Sequence, residues 1–261
     1  MRRYLRLARL FVANSLQLEL EYRINLAVNA FNALIGFAAG LAVVLAMFGQ
    51  AGSVGGWSFE QALAVLGTFL AIQAYVEILL LPNFSELPEQ IRTGLFDFVL
   101  LKPASAQFLV SFRRCSIWQV PELLIGLGVV LYGMAQSGGI DAGRLLLFAL
   151  LLLAAAAIVY AICLALATLS FWVVKVDNMA ELFFAFFAAG RFPVSAFPPW
   201  VRLLLTAVVP IAFVTTVPAA AAVGRLDLGT AAIALALGAA AVAASRWFFR
   251  FAVRSYTSAG G

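Results

Sequence analysis

The chain has 261 residues, 64% hydrophobic and 11% charged, with a mean hydropathy of +1.03. Soluble domains are roughly half apolar and about a quarter charged, so a soluble globular fold is excluded. The formal net charge of +5 does not point to nucleic acid either: Arg2, Arg3, Arg6 and Arg9 precede the first apolar run, Arg246, Arg250 and Arg254 follow the last, and no basic patch with interleaved aromatics remains.

Residues 24–48, 61–76, 145–174 and 228–245 contain no Asp, Glu, Lys or Arg. Several of these runs are long enough to cross about 30 Å of hydrocarbon. The sequence therefore reads as an all-α membrane protein of about six transmembrane helices, in a single domain over residues 1–261. Cys115 and Cys163 are far apart and read as free thiols used as small apolar residues. The first apolar run is too long, and too far from the start, for a cleavable signal peptide.

Within residues 1–23, Arg2, Arg6, Arg9 and Gln17 fall on one side of a helix and Tyr4, Leu7, Phe11 and Leu18 on another. This spacing predicts an amphipathic helix in the cytoplasmic interface; the alternative is a cytosolic extension of span one. Span one covers about Ile24 to Phe48. Its Asn25, Asn29, Asn32, Gly36 and Gly40 share one helix face. Asparagine bonds across helices and glycine permits close approach, so this face is expected to pack on protein; the other reading is a substrate path along Asn25, Asn29 and Asn32.

A short outer loop leads to span two, about Ala62 to Pro82, which carries Glu77 near its inner end. Span three, about Ser116 to Ala135, carries Glu122 in the same position. Ionisable residues in spans are functional candidates by default. Gating or proton coupling competes here with structural anchoring, through interfacial water or Arg113 and Arg114. Span four lies in Leu145–Val174, with Ala154, Ala157, Ala161, Ala165 and Thr168 as a small-residue ridge, and Asp177-Asn178 offers a cap for span five.

Residues 191–224 are apolar but interrupted by Pro193, Pro198, Pro199, Pro210 and Pro218, which suits a re-entrant outer hairpin between spans five and six. Span six runs from about Gly229 to Trp247. With the hairpin, thirteen basic residues lie inside and four (Arg144, Arg191, Arg202, Arg225) outside; a seventh full crossing gives eleven against six. The hairpin fits the positive-inside bias better and places both termini in the cytoplasm.

The chain has no histidine, which removes His-based triads, HExxH sites and imidazole relays. No Cys or carboxylate cluster has metal-ligand spacing. Gly224 to Thr230 (GRLDLGT) has two glycines of a phosphate loop but no lysine, and the only lysines, Lys102 and Lys175, lie outside glycine-rich settings. No catalytic residue, metal or cofactor is expected in this chain.

Residues 83–115 form the longest polar connection. Ser85 is placed to cap a short helix, Pro88 suits its first turn and Gly94 its C′ position. The helix Glu86–Thr93 would present Glu89, Gln90 and Arg92 to the cytosol, for a partner or simply for solvent.

IRTGLFDFVLLKP (Ile91 to Pro103) resembles the IR-x-G-x-x-D-x-x-L-x-(K/R)-P stretch of one bacterial branch of the type-2 permease class of ATP-binding-cassette exporters. GRFPVSAFP (Gly190 to Pro198) and VVPIAFVTTVPA (Val208 to Ala219) are similar to that branch's pre-hairpin and hairpin segments, and the order of elements matches over essentially the whole chain. The resemblance implies a six-span permease in the bacterial cytoplasmic membrane, with Glu86, Pro88, Glu89, Gln90, Ile91, Arg92 and Gly94 forming a coupling helix that docks on a separate ATPase subunit. ATP and Mg belong on that ATPase. A second permease, identical or related, would complete the path. The competing readings are a proton-coupled carrier using Glu77 or Glu122, and a non-transporting scaffold.

Overall fold

The computed structural model describes residues 2–20, 23–49, 52–173 and 177–256. The described residues are helical throughout, apart from turns and one isolated bridge between Val54 and Trp57. The order is α1 (Arg2–Leu20), α2 (Arg23–Phe48), α3 (Phe59–Tyr75), α4 (Leu81–Phe84), α5 (Leu87–Arg92), α6 (Asp97–Leu100), α7 (Ala106–Phe112), α8 (Val120–Gln136), α9 (Ala142–Thr168), α10 (Asp177–Ala188), α11 (Pro199–Leu203), α12 (Val217–Ala222) and α13 (Leu228–Ser255).

Among the described residues, four helices are long and apolar enough to cross a membrane: Ala27–Phe48, Phe59–Arg92, Ala142–Phe171 and Leu228–Ser255. A fifth candidate is the pair Pro199–Val208 and Ala212–Ala222, bent by 79° at its break. The break falls at Pro210, which has no N–H for a helical bond. Continuous helices thus supply four crossings, five if the bent pair counts as one, where the sequence reads about six, because α8 has only 17 residues and α10 only 12. The Asp177-Asn178 cap and Lys175 fall outside the described side chains.

α3, α9 and α13 begin at one end of the molecule, and each has a side-chain cap. Ser58 Oγ accepts from Gln61 N while Gln61 Oε1 accepts from Ser58 N; Asp141 accepts from Arg144 N at 3.0 Å and Asp227 from Thr230 N at 2.9 Å. These bonds satisfy orphan helix-start donors at the loops where the chain turns back. The bent pair returns to this same end. Ser195 Oγ, just before it, donates to Gly55 O at 2.8 Å, and Arg225, just after it, donates to Gly56 O at 2.6 Å.

α3 forms the core of the bundle, with Ala62 to Ile72 wholly buried. It meets α8 backbone to backbone. A Cβ on Gly126 would lie 2.7 Å from Ala71 N and Gly67 O, and one on Gly133 2.8 Å from Glu60 O. Such contact needs glycine on the facing turns. The small-residue ridge of α9 works in the same way: Ala154 sits against Gly238 of α13.

Within one copy the face of α2 is only partly covered. Only Gly40 packs closely within the chain, against Leu66, whereas a Cβ on Gly36 would meet nothing within 4 Å and Asn25 and Asn32 are exposed. Most of this face is open in a single copy.

At the opposite end, α1 lies along α7. Tyr4 and Phe11 both contact Phe108, and Ser15 Oγ accepts from Cys115 N at 3.2 Å. Tyr256 is at this end too, so both ends of the described chain meet the 83–115 connection.

Candidate functional site

α3 does not stop where its core packing ends. A π-helical turn (Val76–Leu80) and α4 carry it on towards α5, and the whole of Phe59–Arg92 qualifies as one long rod. Ser85, expected as the cap of α5, instead closes α4: its Oγ donates to Leu81 O at 2.6 Å. Glu86 takes the N-cap position without a capping bond, because its carboxylate is engaged by Arg114 and by Gln90 Nε2. Pro88 lies in the first turn. Gly94 ends the helix at C′ with φ +74°, a left-handed conformation that favours glycine. The chain then doubles back, Phe96 N donating to Gln90 O at 2.9 Å.

The outward face of α5 carries an exposed two-pronged pair, with Arg92 Nε and Nη2 donating to Glu89 at 2.9 and 2.8 Å. Ile91 turns the other way and packs half-buried on the main core. Leu100 is 41% exposed, and the most exposed apolar side chains here are Leu95, Phe98 and Leu101, at 52%, 63% and 79%. They recur every third residue beside α5, a signal present in FDFVLL that helix periodicity alone hides among the buried Phe96 and Val99.

Phe96 fastens this elbow to the bundle. Fully buried, its ring stands edge-on to Phe171, after α9, and to Tyr256, after α13, each at 5.3 Å; the last two are 5.7 Å apart. Burial first, then the Asp97 carboxylate, pushes the Tyr256 phenol above its usual range. Beside the elbow, Leu80, Phe84, Pro88, Cys163 and Phe184 line a mostly apolar cavity of about 270 Å³, with Glu181 also on its wall. The cavity borders α5 at Pro88, and Phe96 ties the segment after α5 to the ends of α9 and α13.

A second polar group lies deeper. Glu77, on the π turn, accepts from Gln73 Nε2 at 3.1 Å. Glu122, in the first turn of α8, is 8% exposed. The charges acting on it are Glu77 and Arg191. The charge count places Arg191 with the outer arginines, but its guanidinium lies 5.0 Å over the ring of Phe69, well inside α3. It reaches this depth because Gly190 lets its turn press on Ile211 and Thr215, where a Cβ would come within 2.9 Å. Neither Arg113 nor Arg114 takes the expected role beside these carboxylates; Arg114 pairs with Glu86.

Of the asparagines, Asn29 alone approaches this region, accepting from Gln119 Nε2 at 3.5 Å, while Asn25 and Asn32 stay on the open face. Among the described residues no three of Asp, Glu and Cys gather to hold a metal ion.

Residues 34–260 match the model of the family described as ABC-2 family transporter protein. Neither a curated protein nor a solved structure matches the chain. The family match runs from the middle of α2 through α13, taking in the elbow, the buried carboxylates and the bent pair. The chain belongs to the ABC-2 family of transporter proteins.

Proposed function

We propose that this permease is the membrane-spanning subunit of an ATP-driven exporter, and that α5 is the element through which a separate ATPase subunit moves it. The observation that carries this reading is the elbow. An exposed ion pair and three exposed apolar side chains face away from the bundle, while Phe96 between them is locked against the ends of α9 and α13. ATP and Mg reside on the partner, whose closure would press α5. Two permeases, identical or related, form the path between them.

In this reading the elbow end faces the bacterial cytoplasm, in keeping with the basic residues gathered there, and both termini lie on that side. α8 and α10 complete six crossings together with their flanking turns. The bent pair is a re-entrant segment, supported by the return of Ser195 and Arg225 to neighbouring carbonyls. The test is copurification of an ATPase with the permease, followed by cargo-stimulated hydrolysis in reconstituted vesicles. A permease that transports in the absence of any ATPase overturns the reading.

The cluster of Glu77, Glu122 and Arg191 favours a second reading, a proton-coupled carrier. It requires transport driven by a pH gradient alone and abolished in Glu122→Gln.

A further inference from the structure

Arg246, Arg250 and Arg254 recur every fourth residue along the C-terminal end of α13, all exposed. They line a cup of about 420 Å³ together with Trp247 and Phe251. Arg250 and Arg254 also line a second cup of about 320 Å³, closed on its other side by Ser105 and Gln107 of the α7 region. No acidic residue lines either cup, and the ion pairs among the described residues, Glu89–Arg92 and Glu86–Arg114, involve none of these arginines.

The depth of these residues is informative. At about 1.5 Å per residue, Arg246 lies about 27 Å from the start of α13 and Arg254 about 39 Å. The hydrocarbon is about 30 Å thick and the headgroups extend it to about 40–45 Å in total. With the start of α13 at the far hydrocarbon boundary and the helix near the membrane normal, the guanidiniums run from the near boundary out into the headgroup layer. Trp247 and Phe251, 69% and 50% exposed, stack at 6.0 Å on the same sector, and Trp172 stacks on Phe251. Bare aromatic rings beside an unpaired arginine ladder match a molecule that is apolar at one end and anionic at the other.

We propose that this end of α13, with α7, is a binding site for an anionic phospholipid of the adjacent leaflet. Its phosphodiester lies between Arg250 and Arg254, and its acyl chains run along Trp247 and Phe251. A water-borne acidic partner would satisfy the arginines but leave Trp247 uncovered at the hydrocarbon edge.

The test uses the full chain in mixed micelles with phosphatidylglycerol or phosphatidylcholine carrying brominated acyl chains, which quench nearby tryptophan. The signal of this site is the quenching lost in Trp247→Phe. Expected is a preference for phosphatidylglycerol of about five-fold per arginine engaged, from about 1 kcal/mol each. It should fall to near parity in Arg250→Gln/Arg254→Gln and persist in Arg250→Lys/Arg254→Lys, which keeps the charge and guards against a mere folding defect. Equal quenching by the two lipids in the parent, an unchanged preference in the glutamine pair, or equal loss in both pairs overturns the proposal. So does abolition by millimolar inorganic phosphate, which marks a free-anion site. Loss of a copurifying ATPase in the glutamine pair with lipid preference intact marks a protein dock and overturns it as well.

Discussion

The rings of Phe96 and Tyr256 stand 5.3 Å apart and at 87° to each other, joining the 83–115 connection to the last residue described at the C-terminus. This is an edge-to-face geometry, worth about 0.5–1.5 kcal/mol beyond simple burial. It recurs between Phe96 and Phe171. If force passes from α5 into the bundle here, removing the ring should separate two functions that otherwise go together. Phe96→Leu keeps an apolar side chain in place and should leave ATPase copurification unchanged while lowering cargo moved per ATP several-fold. Phe96→Ala should also cost about 3–5 kcal/mol of stability. Thermal unfolding and coupled transport assays check both.

The outward face of α5 and its neighbours make a separable prediction. The Glu89–Arg92 pair is exposed and worth about 0–1 kcal/mol to the fold, so exchanging the two charges should not affect stability. It should nevertheless weaken ATPase association, because the field presented to the partner is reversed. Phe98→Asp and Leu101→Asp should each cost about 2 kcal/mol or more of that association, as buried interface anchors do. Ile91→Asp should act differently, lowering the yield of folded protein, since Ile91 packs on the permease's own core.

Arg191 and Glu122 should behave as a coupled pair. Arg191→Met leaves Glu122 beside Glu77 without its cation and should destabilise the permease more than Glu122→Gln does. The double variant should recover part of the loss. A double-mutant cycle on thermal unfolding should return about 0.5–3 kcal/mol of coupling. Additive effects would show that the charges do not act on one another.

Topology is checked by thiol labelling in a chain whose Cys115 and Cys163 have been replaced. Cysteines at Ser53 and Ser137 should react from outside, and those at Ser105 and Ser255 only after the membrane is opened. A reporter inserted after Arg225 should read the same side as Ser53, because Arg225 is bonded to Gly56.

Much of this was legible along the chain. Uncharged runs mark the long helices, and Pro88 and Gly94 bracket α5, because such signals act within a turn or two of the residue that carries them. What escaped was long-range or locally ambiguous. Ser85 offers a hydroxyl that can cap forwards or bond backwards, and only the helix already present before it decides the matter. Arg191 looks like an outer-loop charge until the turn at Gly190 is seen pressed against Thr215. Phe96 is one of many phenylalanines in an apolar chain; its partners at 171 and 256 lie too far along the sequence for any periodicity to name them.

The glycine contact between α3 and α8 also sets where motion can take place. Side chains between helices act as bearings, rolling over one another as rotamers change. Between Gly67, Gly126 and Gly133 the nearest approaches are to main chain, with only Leu70, Ala64 and Val130 carbons close beside it, over about 10 Å of helix. The two helices are therefore tightly locked, and in the proposed transport cycle the movement falls to parts that slide on side chains. Gly126→Ala should jam that contact and destabilise the protein by about 1–3 kcal/mol, while Gly128→Ala, two residues away with open space around it, should be neutral or mildly stabilising. Thermal unfolding of the two variants reads the difference, and cross-linking α3 to α8 at these levels should leave transport intact, as bolting together what never moves costs a machine nothing.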